Sequence, residues 1–254
     1  MNFKKNIFIV TIVATFLYPS LTIAETKKID LNAIQKLANE GSMNAQVSLG
    51  YLYSHGEEVS LDYIKAAKWY EKAAEQGSDL AQLLLGSMYY NGEGVPLNYM
   101  KALEWYLKAA NQGNTSAQVL LGSMYYNGEG VPLNYVKALE WYLKAANQGY
   151  AYAQKNLGVM YQKGQGVSQD YAKSLEWYRK AADQGDATAQ YNLALKYENG
   201  QGVPKNYTQA AYWYQKAADQ GDADAQNNLG ALYSNGQGVS QDYAKSLEWY
   251  RKAA

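Results

Sequence analysis

One period governs this chain. The dipeptide Ala-Gln begins at residues 45, 81, 117, 153, 189 and 225, a constant step of 36 residues. Tryptophan keeps the same step, at Trp69, Trp105, Trp141, Trp177, Trp213 and Trp249, and the chain has no others. Segments 81–116 and 117–152 differ at five positions, and segment 164–182 reappears unchanged at 236–254. A period of this length means that one supersecondary unit has been duplicated. Each copy is too small to bury its own apolar face and must stack on its neighbours.

The unit 81–116 shows what is being copied. Ala81, Leu85, Met88 and Tyr89 fall at i, i+4, i+7 and i+8, which is helical spacing. Gly92-Glu93-Gly94-Val95-Pro96 then breaks the helix. Asn98, with Asp62, Asp170 and Asp242 in other units, suits the N-cap of a second helix, because its side chain accepts from free first-turn amides. Tyr99, Ala102, Tyr106 and Ala109 form an apolar stripe, broadened by Leu103, Trp105 and Ala110. Lys101, Glu104 and Lys108 lie opposite, with Glu104 placed to pair with Lys108. Gly113 suits the left-handed position after a helix, and Ser78, Asn114, Asp186 and Asp222 suit the cap of the next first helix. Gly86, Gly122, Gly158 and Gly230 stand inside helices, where glycine costs about 1 kcal/mol against alanine. Their recurrence predicts a close helix approach, with Ala109-Ala110 as the facing surface. Ala194 at this place in the fifth unit shows that a methyl group is tolerated. The fold class is therefore all-α, built from helix–loop–helix repeats.

The N-terminal residues follow a different plan. Lys4 and Lys5 precede an apolar run from Ile7 to Leu17, Pro19 breaks it, and Thr22-Ile23-Ala24 offers small residues before a cut ahead of Glu25. That layout predicts a secretory signal peptide over 1–24, with a run too short to span a bilayer. The expected product is periplasmic or secreted, with no membrane span after cleavage. Its 21 basic and 23 acidic residues, after Lys4 and Lys5 are removed from 23 of each, give a net charge of −2. With no basic excess, nucleic acid is not an expected partner. There is no cysteine and only one histidine, His55, so no disulfide, no zinc centre and no Ser-His-Asp triad is expected.

The string A-Q-x-x-L-G-x-x-Y-x-x-G-x-G-V-x-x-D/N-Y-x-K-A-x-x-W-Y-x-K-A-A-x-Q-G resembles the Sel-1-like repeat family, a longer-looped relative of the tetratricopeptide repeat. The resemblance covers six units, 45–80, 81–116, 117–152, 153–188, 189–224 and 225–254. Residues 25–44 look like a degenerate capping half-repeat, since Leu37-Ala38-Asn39-Glu40-Gly41 aligns with the end of a second helix and Ala33 replaces the tryptophan. The resemblance implies a right-handed superhelical α/α solenoid acting as a protein-binding adaptor, in exported bacterial members often toward host or envelope proteins. Some cysteine-rich members carry a disulfide in each unit, which this chain, without cysteine, cannot form.

Gly92-Glu93-Gly94 lacks a third glycine, a following Lys-Ser/Thr and a preceding strand, so it reads as a turn rather than a phosphate loop. Repeated carboxylates such as Glu93, Glu129, Glu104 and Glu140 read as solvated charges. A β-lactam-hydrolysing reading finds no serine with lysine three places later and no Lys-Thr-Gly. No catalytic residue and no cofactor is expected.

Function is expected where copies differ within the repeated frame. The places of Leu84, Ser87 and Asn91 lie on one face of the first helix, which by analogy with related solenoids lines the concave groove. Along the array the Leu84 place reads Ser48, Leu84, Leu120, Asn156, Asn192, Asn228, and the Asn91 place includes Asn127, Asn199 and Asn235. The Leu83 place runs Val47, Leu83, Val119, Lys155, Tyr191, Asn227. This predicts a groove apolar in its first half and amide-rich in its second, able to hold a protein or an extended peptide, because asparagine both donates and accepts. A glycan-binding alternative uses Tyr90, Tyr126, Tyr150 and Tyr152 as stacking platforms. The last unit copies the internal pattern through Trp249, Tyr250, Ala253 and Ala254. Tyr243, Leu247 and Tyr250 are expected to pack inward there, leaving an apolar end as a candidate for self-association; the oligomeric state is otherwise open.

Overall fold

The computed structural model describes residues 30–254, so the expected signal peptide at 1–24 lies outside the described residues. The described residues form thirteen α-helices and no strand. The first, α1 (Leu31–Asn39), stands alone. Six pairs follow: α2 (Met43–His55) and α3 (Tyr63–Glu75); α4 (Asp79–Asn91) and α5 (Tyr99–Asn111); α6 (Thr115–Asn127) and α7 (Tyr135–Asn147). Then come α8 (Ala151–Lys163) and α9 (Tyr171–Asp183); α10 (Ala187–Asn199) and α11 (Tyr207–Asp219); α12 (Ala223–Asn235) and α13 (Tyr243–Ala253). The first member of each pair is termed the A helix and the second the B helix. The principal helix–helix contacts join consecutive helices, giving an all-α solenoid. No helix among the described residues is long and apolar enough to cross a membrane.

Local chemistry sets the helix ends. At the close of α5, Gly113 adopts φ +94°, its N–H donates to the Ala110 carbonyl at 3.0 Å, and the Asn114 N–H donates to the Ala109 carbonyl at 3.1 Å. This is the Schellman pattern, which needs the left-handed conformation that glycine adopts without strain. The Asn114 side chain then accepts from the Ala117 N–H at 3.0 Å. One residue thus ends a B helix and starts the next A helix. Ser78, Asp186 and Asp222 cap in the same way, while Tyr150 holds this place in the fourth unit with no side-chain cap. At the other turn, Asn98 donates its N–H to the Tyr89 carbonyl at 2.8 Å and caps Lys101 at 3.0 Å.

Packing explains the two other glycine series. A Cβ on Gly86, Gly122 or Gly158 would meet the ring of Tyr106, Tyr142 or Tyr178 at 2.6–2.7 Å. The close approach expected at these glycines is therefore filled by a tyrosine ring of the B helix, not by the Ala109-Ala110 pair. Those rings are almost fully buried, and the hydroxyls of Tyr106 and Tyr142 lie 3.1 and 3.0 Å from Ser87 Oγ and Ser123 Oγ. The second loop glycine works between units. A Cβ on Gly94 would lie 2.1 Å from the Tyr63 carbonyl oxygen, and one on Gly166 2.4 Å from that of Tyr135. Each loop rests on the start of the preceding B helix.

The repeated glutamines form a ladder. Gln82 Nε2 donates to the Ala74 carbonyl of the preceding unit at 3.0 Å, and its Oε1 accepts from Gln112 Nε2 at 2.8 Å. Gln118, Gln154 and Gln190 repeat both bonds, the acceptors being Ala110, Ala146 and Ala182 and the donors Gln148, Gln184 and Gln220. A buried amide whose donor and acceptor are both engaged escapes the desolvation penalty of an unmade bond, so the ladder joins units without exposing a mismatch.

An A helix lies between its own B helix and the preceding one, so α4 buries Ala81 through Gly86, Met88 and Tyr89, wider than a single stripe. A B helix buries one stripe, in α5 Ala102, Leu103, Tyr106, Ala109 and Ala110. Tyr99, placed in that stripe by its spacing, is 36% exposed. The expected Glu104–Lys108 pair does not form; Lys108 Nζ instead lies 3.9 Å from the Trp105 ring centre. The same lysine-on-tryptophan contact recurs in every unit, because the ammonium gains from the negative ring face while its stem covers the indole. In the sixth unit Tyr243 and Leu247 are 68% and 50% exposed rather than packed inward, whereas the Tyr250 ring, 40% exposed, does pack on the unit's own A helix, 3.0 Å from where a Cβ of Gly230 would lie. Their counterparts Leu103 and Tyr106, inside the array, are buried.

Candidate partner-binding surface

The A-helix face is built on this frame, and the structure sorts its residues into three settings. Leu84 is buried with Val47 and Leu83 in the core and offers no open surface, a correction to the apolar groove expected in the first half. Leu120, Asn156, Tyr191, Asn192 and Asn228 are half-buried. Asn91, Asn127, Asn199 and Asn235 are exposed, each as the last residue of its A helix before a left-handed glycine.

The amides differ in what they already hold. Asn192 Nδ2 donates to the Thr188 carbonyl of its own helix at 2.8 Å. Asn228 Nδ2 donates to the Tyr214 hydroxyl at 3.0 Å. Asn127 Nδ2 donates to Glu129 Oε1 at 3.2 Å. Asn156 Nδ2 is buried and has no hydrogen-bond partner within the chain. Around Asn228 the surface becomes acidic and aromatic. The Tyr214 hydroxyl donates to the Glu198 carboxylate, and the Tyr191 and Tyr214 rings lie 5.9 Å apart. Burial first, and then the Glu198 carboxylate, push the Tyr214 phenol far above its usual range. Burial, with Asp224 and Asp222 nearby, raises Tyr191 as well. Both phenols are therefore neutral donors at physiological pH.

The four tyrosines offered as glycan platforms fare differently. Tyr90 and Tyr126 are half-buried and bound through their hydroxyls to the next unit's loop, at Glu129 and at Gln165 Oε1. Tyr150 is half-buried at a helix start. Tyr152 is exposed, but Lys155 Nζ lies over its ring at 4.3 Å. No group of three or more His, Cys, Asp or Glu side chains among the described residues is placed to hold a metal ion.

Lys196 escaped the sequence reading. It occupies the place of Met88, Met124 and Met160 and is 1% exposed. Its Nζ donates to Gln201 Oε1 at 3.0 Å and lies 4.6 Å from the Tyr171 ring centre of the preceding unit. The signal was a lone cation in a column otherwise of methionine and leucine. Desolvation pushes its pKa down to about 8 from 10.5. The folded state therefore binds fewer protons than the unfolded one between those values, so stability rises with pH across that window. Lys196→Met is expected to stabilise the protein by about 1–2 kcal/mol at neutral pH, since apolar replacements of buried ions are often stabilising. The gain is expected to be largest below pH 8 and to shrink toward pH 10.5. Urea titrations across pH check this; an equal or lower midpoint for the variant at pH 7 contradicts it.

Comparison with known proteins agrees with the geometry. The Sel1 repeat model matches residues 44–78, 79–114, 115–150, 151–186, 187–222 and 223–254. The fold is similar to that of a protective antigen of uropathogenic Escherichia coli strains displaying an SLR fold, at 40% identity and TM-score 0.87, over 89% of this chain and 48% of the antigen. The chain thus spans about half the length of that relative. It is also similar to a Sel1 repeat protein from Oxalobacter formigenes, at 33% identity and TM-score 0.75, over 97% of this chain and 96% of that one. No curated protein matches the chain. Six consecutive matches on six helix pairs, together with these two structural relatives, place the chain in the Sel1 repeat family.

Proposed function

We propose that this chain is a non-enzymatic scaffold, exported from a bacterial cell, that holds a partner protein or extended peptide along its A-helix face. Sel1 repeat proteins are generally protein-interaction scaffolds. One observation carries the reading. The A-helix glutamines of the ladder and the B-helix tyrosines keep their identity in all six units, and the packing glycine gives way only to Ala194. The Leu84 place meanwhile moves from Ser48 through leucine to three asparagines. Residues that packing does not dictate are free to serve recognition, and half-buried amides suit a peptide backbone. Export is supported by the layout of residues 1–24.

Crosslinking mass spectrometry in the native cells identifies the partner, and the compartment of the crosslinked proteins tests the export. Changing Asn156, Asn192 and Asn228 together to alanine is then expected to weaken binding at least tenfold, about 1.4 kcal/mol, with helicity unchanged. Calorimetry showing unchanged affinity in the triple variant rejects this face as the site.

A further inference from the structure

Three units carry apolar residues in the open where the fold does not ask for them. Leu61, Leu97 and Leu133 are 53–55% exposed, and Ile64, Met100 and Val136 are 54–58% exposed. Each pair lies at the entrance to a B helix, three residues apart and 36 residues from the next pair. The pairs adjoin one another. The Gly94 loop that leads to Leu97 rests on the Tyr63–Ile64 backbone, and the Gly130 loop that leads to Leu133 rests on Tyr99, next to Met100. The six side chains therefore form one ridge across units one to three, on the loop and B-helix side rather than on the A-helix face.

Packing within the chain does not explain the ridge. The Cβ of Leu97 sits 3.2 Å from where a Cβ of Gly92 would lie, and Leu133 and Leu61 cover Gly128 and Gly56 in the same manner. In units four to six that seat is taken by Gln169, Lys205 and Gln241, at 3.2–3.5 Å. The companion place holds Ala172, Thr208 and Ala244. Polar residues thus fulfil the structural role equally well. About half of each of six large side chains amounts to roughly 500 Å², the size of patch that marks an interaction site. It falls short of the ~800 Å² per partner that a stable complex buries, so it needs a polar rim to complete it.

We propose that this ridge is the contact of a homodimer, in which a second copy lies antiparallel across it with the twofold axis at the second unit. Two features favour a second copy as the occupant. The equal step between pairs is matched automatically by a copy of the same chain, since a twofold interface brings one patch against itself. The rim is also complementary under that operation. One turn beyond Ile64 stands the exposed Lys68, whereas one turn beyond Val136 stands the exposed Glu140, and the antiparallel arrangement sets the first unit against the third. Lys65, Lys101 and Lys137 lie over the rings of Tyr53, Tyr89 and Tyr125, and the second unit sets Glu104 against its own copy at the axis, so the complementarity is carried by the first and third units. Mixed charge on the rim disfavours an anionic membrane as the occupant.

Sedimentation of the full chain between ~1 and ~200 μM tests the proposal, the range covering micromolar association. A monomer–dimer equilibrium is expected. The variant L61Q/L97Q/L133Q, which installs the residue found in units four and six, is expected to weaken dimerisation at least thirtyfold with unchanged circular dichroism. Lys68→Glu is expected to weaken it at least threefold, and adding Glu140→Lys to restore it. A strict monomer over the range, or self-association that the triple variant leaves unchanged, overturns the proposal. So does a monomer that instead sediments with phosphatidylglycerol vesicles through the same leucines. The A-helix-face reading does not depend on the outcome.

Discussion

Trp141→Ala is expected to destabilise the solenoid by about 3–5 kcal/mol, as truncation of a buried aromatic does. Trp141 is 9% exposed and belongs to a core cluster that reaches back through Met124 to the first two repeats, while Lys144 Nζ lies over its ring at 3.8 Å. Its removal opens a cavity in that cluster. In a stack whose units touch only their neighbours, the damage stays near the site. Hydrogen exchange is expected to quicken in α6, α7 and α8 and to stay near its original rate in α2, α3, α12 and α13. A uniform loss of protection along the chain is the result that sinks the linear picture.

Gly94→Ala is expected to cost roughly 3–5 kcal/mol, whereas Gly113→Ala costs only about 1–2 kcal/mol, the strain of a left-handed alanine. Both glycines have positive φ, +70° and +94°. Around Gly113 a Cβ finds nothing within 4 Å. At Gly94 it would meet the Tyr63 carbonyl oxygen at 2.1 Å and the Ile64 nitrogen at 2.8 Å. Those are backbone atoms of another unit, which cannot swing aside as a side chain does, so the first and second units must part. Chemical denaturation of the two variants compares them directly, and equal midpoints contradict the close contact at Gly94.

The glycine pair also marks where sequence reasoning stops. By itself the sequence determined the helix–loop–helix unit, its period and its ends. Asn98 and Asn114 cap helices, and Gly113 closes one, because those bonds run between residues at most five apart. Such chemistry depends on the local chain alone, and so it can be read from one copy of the repeat. Stacking followed from the same copy, since Ala102, Tyr106 and Ala109 make a stripe that one unit cannot bury.

The tertiary structure alone decided which residue meets which across units. Gly86 could be read as a close contact, but its partner Tyr106 was decided by how α4 and α5 cross. Gln82 bonds Gln112 and the Ala74 carbonyl, and nothing in the period says that two invariant glutamines meet. Leu84 shared a helical face with Asn91, yet it lies in the core while Asn91 stands in solvent. Leu61, Leu97 and Leu133, which look like core residues by type, stand exposed. Sequence spacing fixes the angle of a side chain about its own helix. Burial depends on the offset between neighbouring helices, which is set jointly by the Gly94 contact, the tyrosine rings and the glutamine ladder. That offset is a property of the assembled stack, and no single unit carries it.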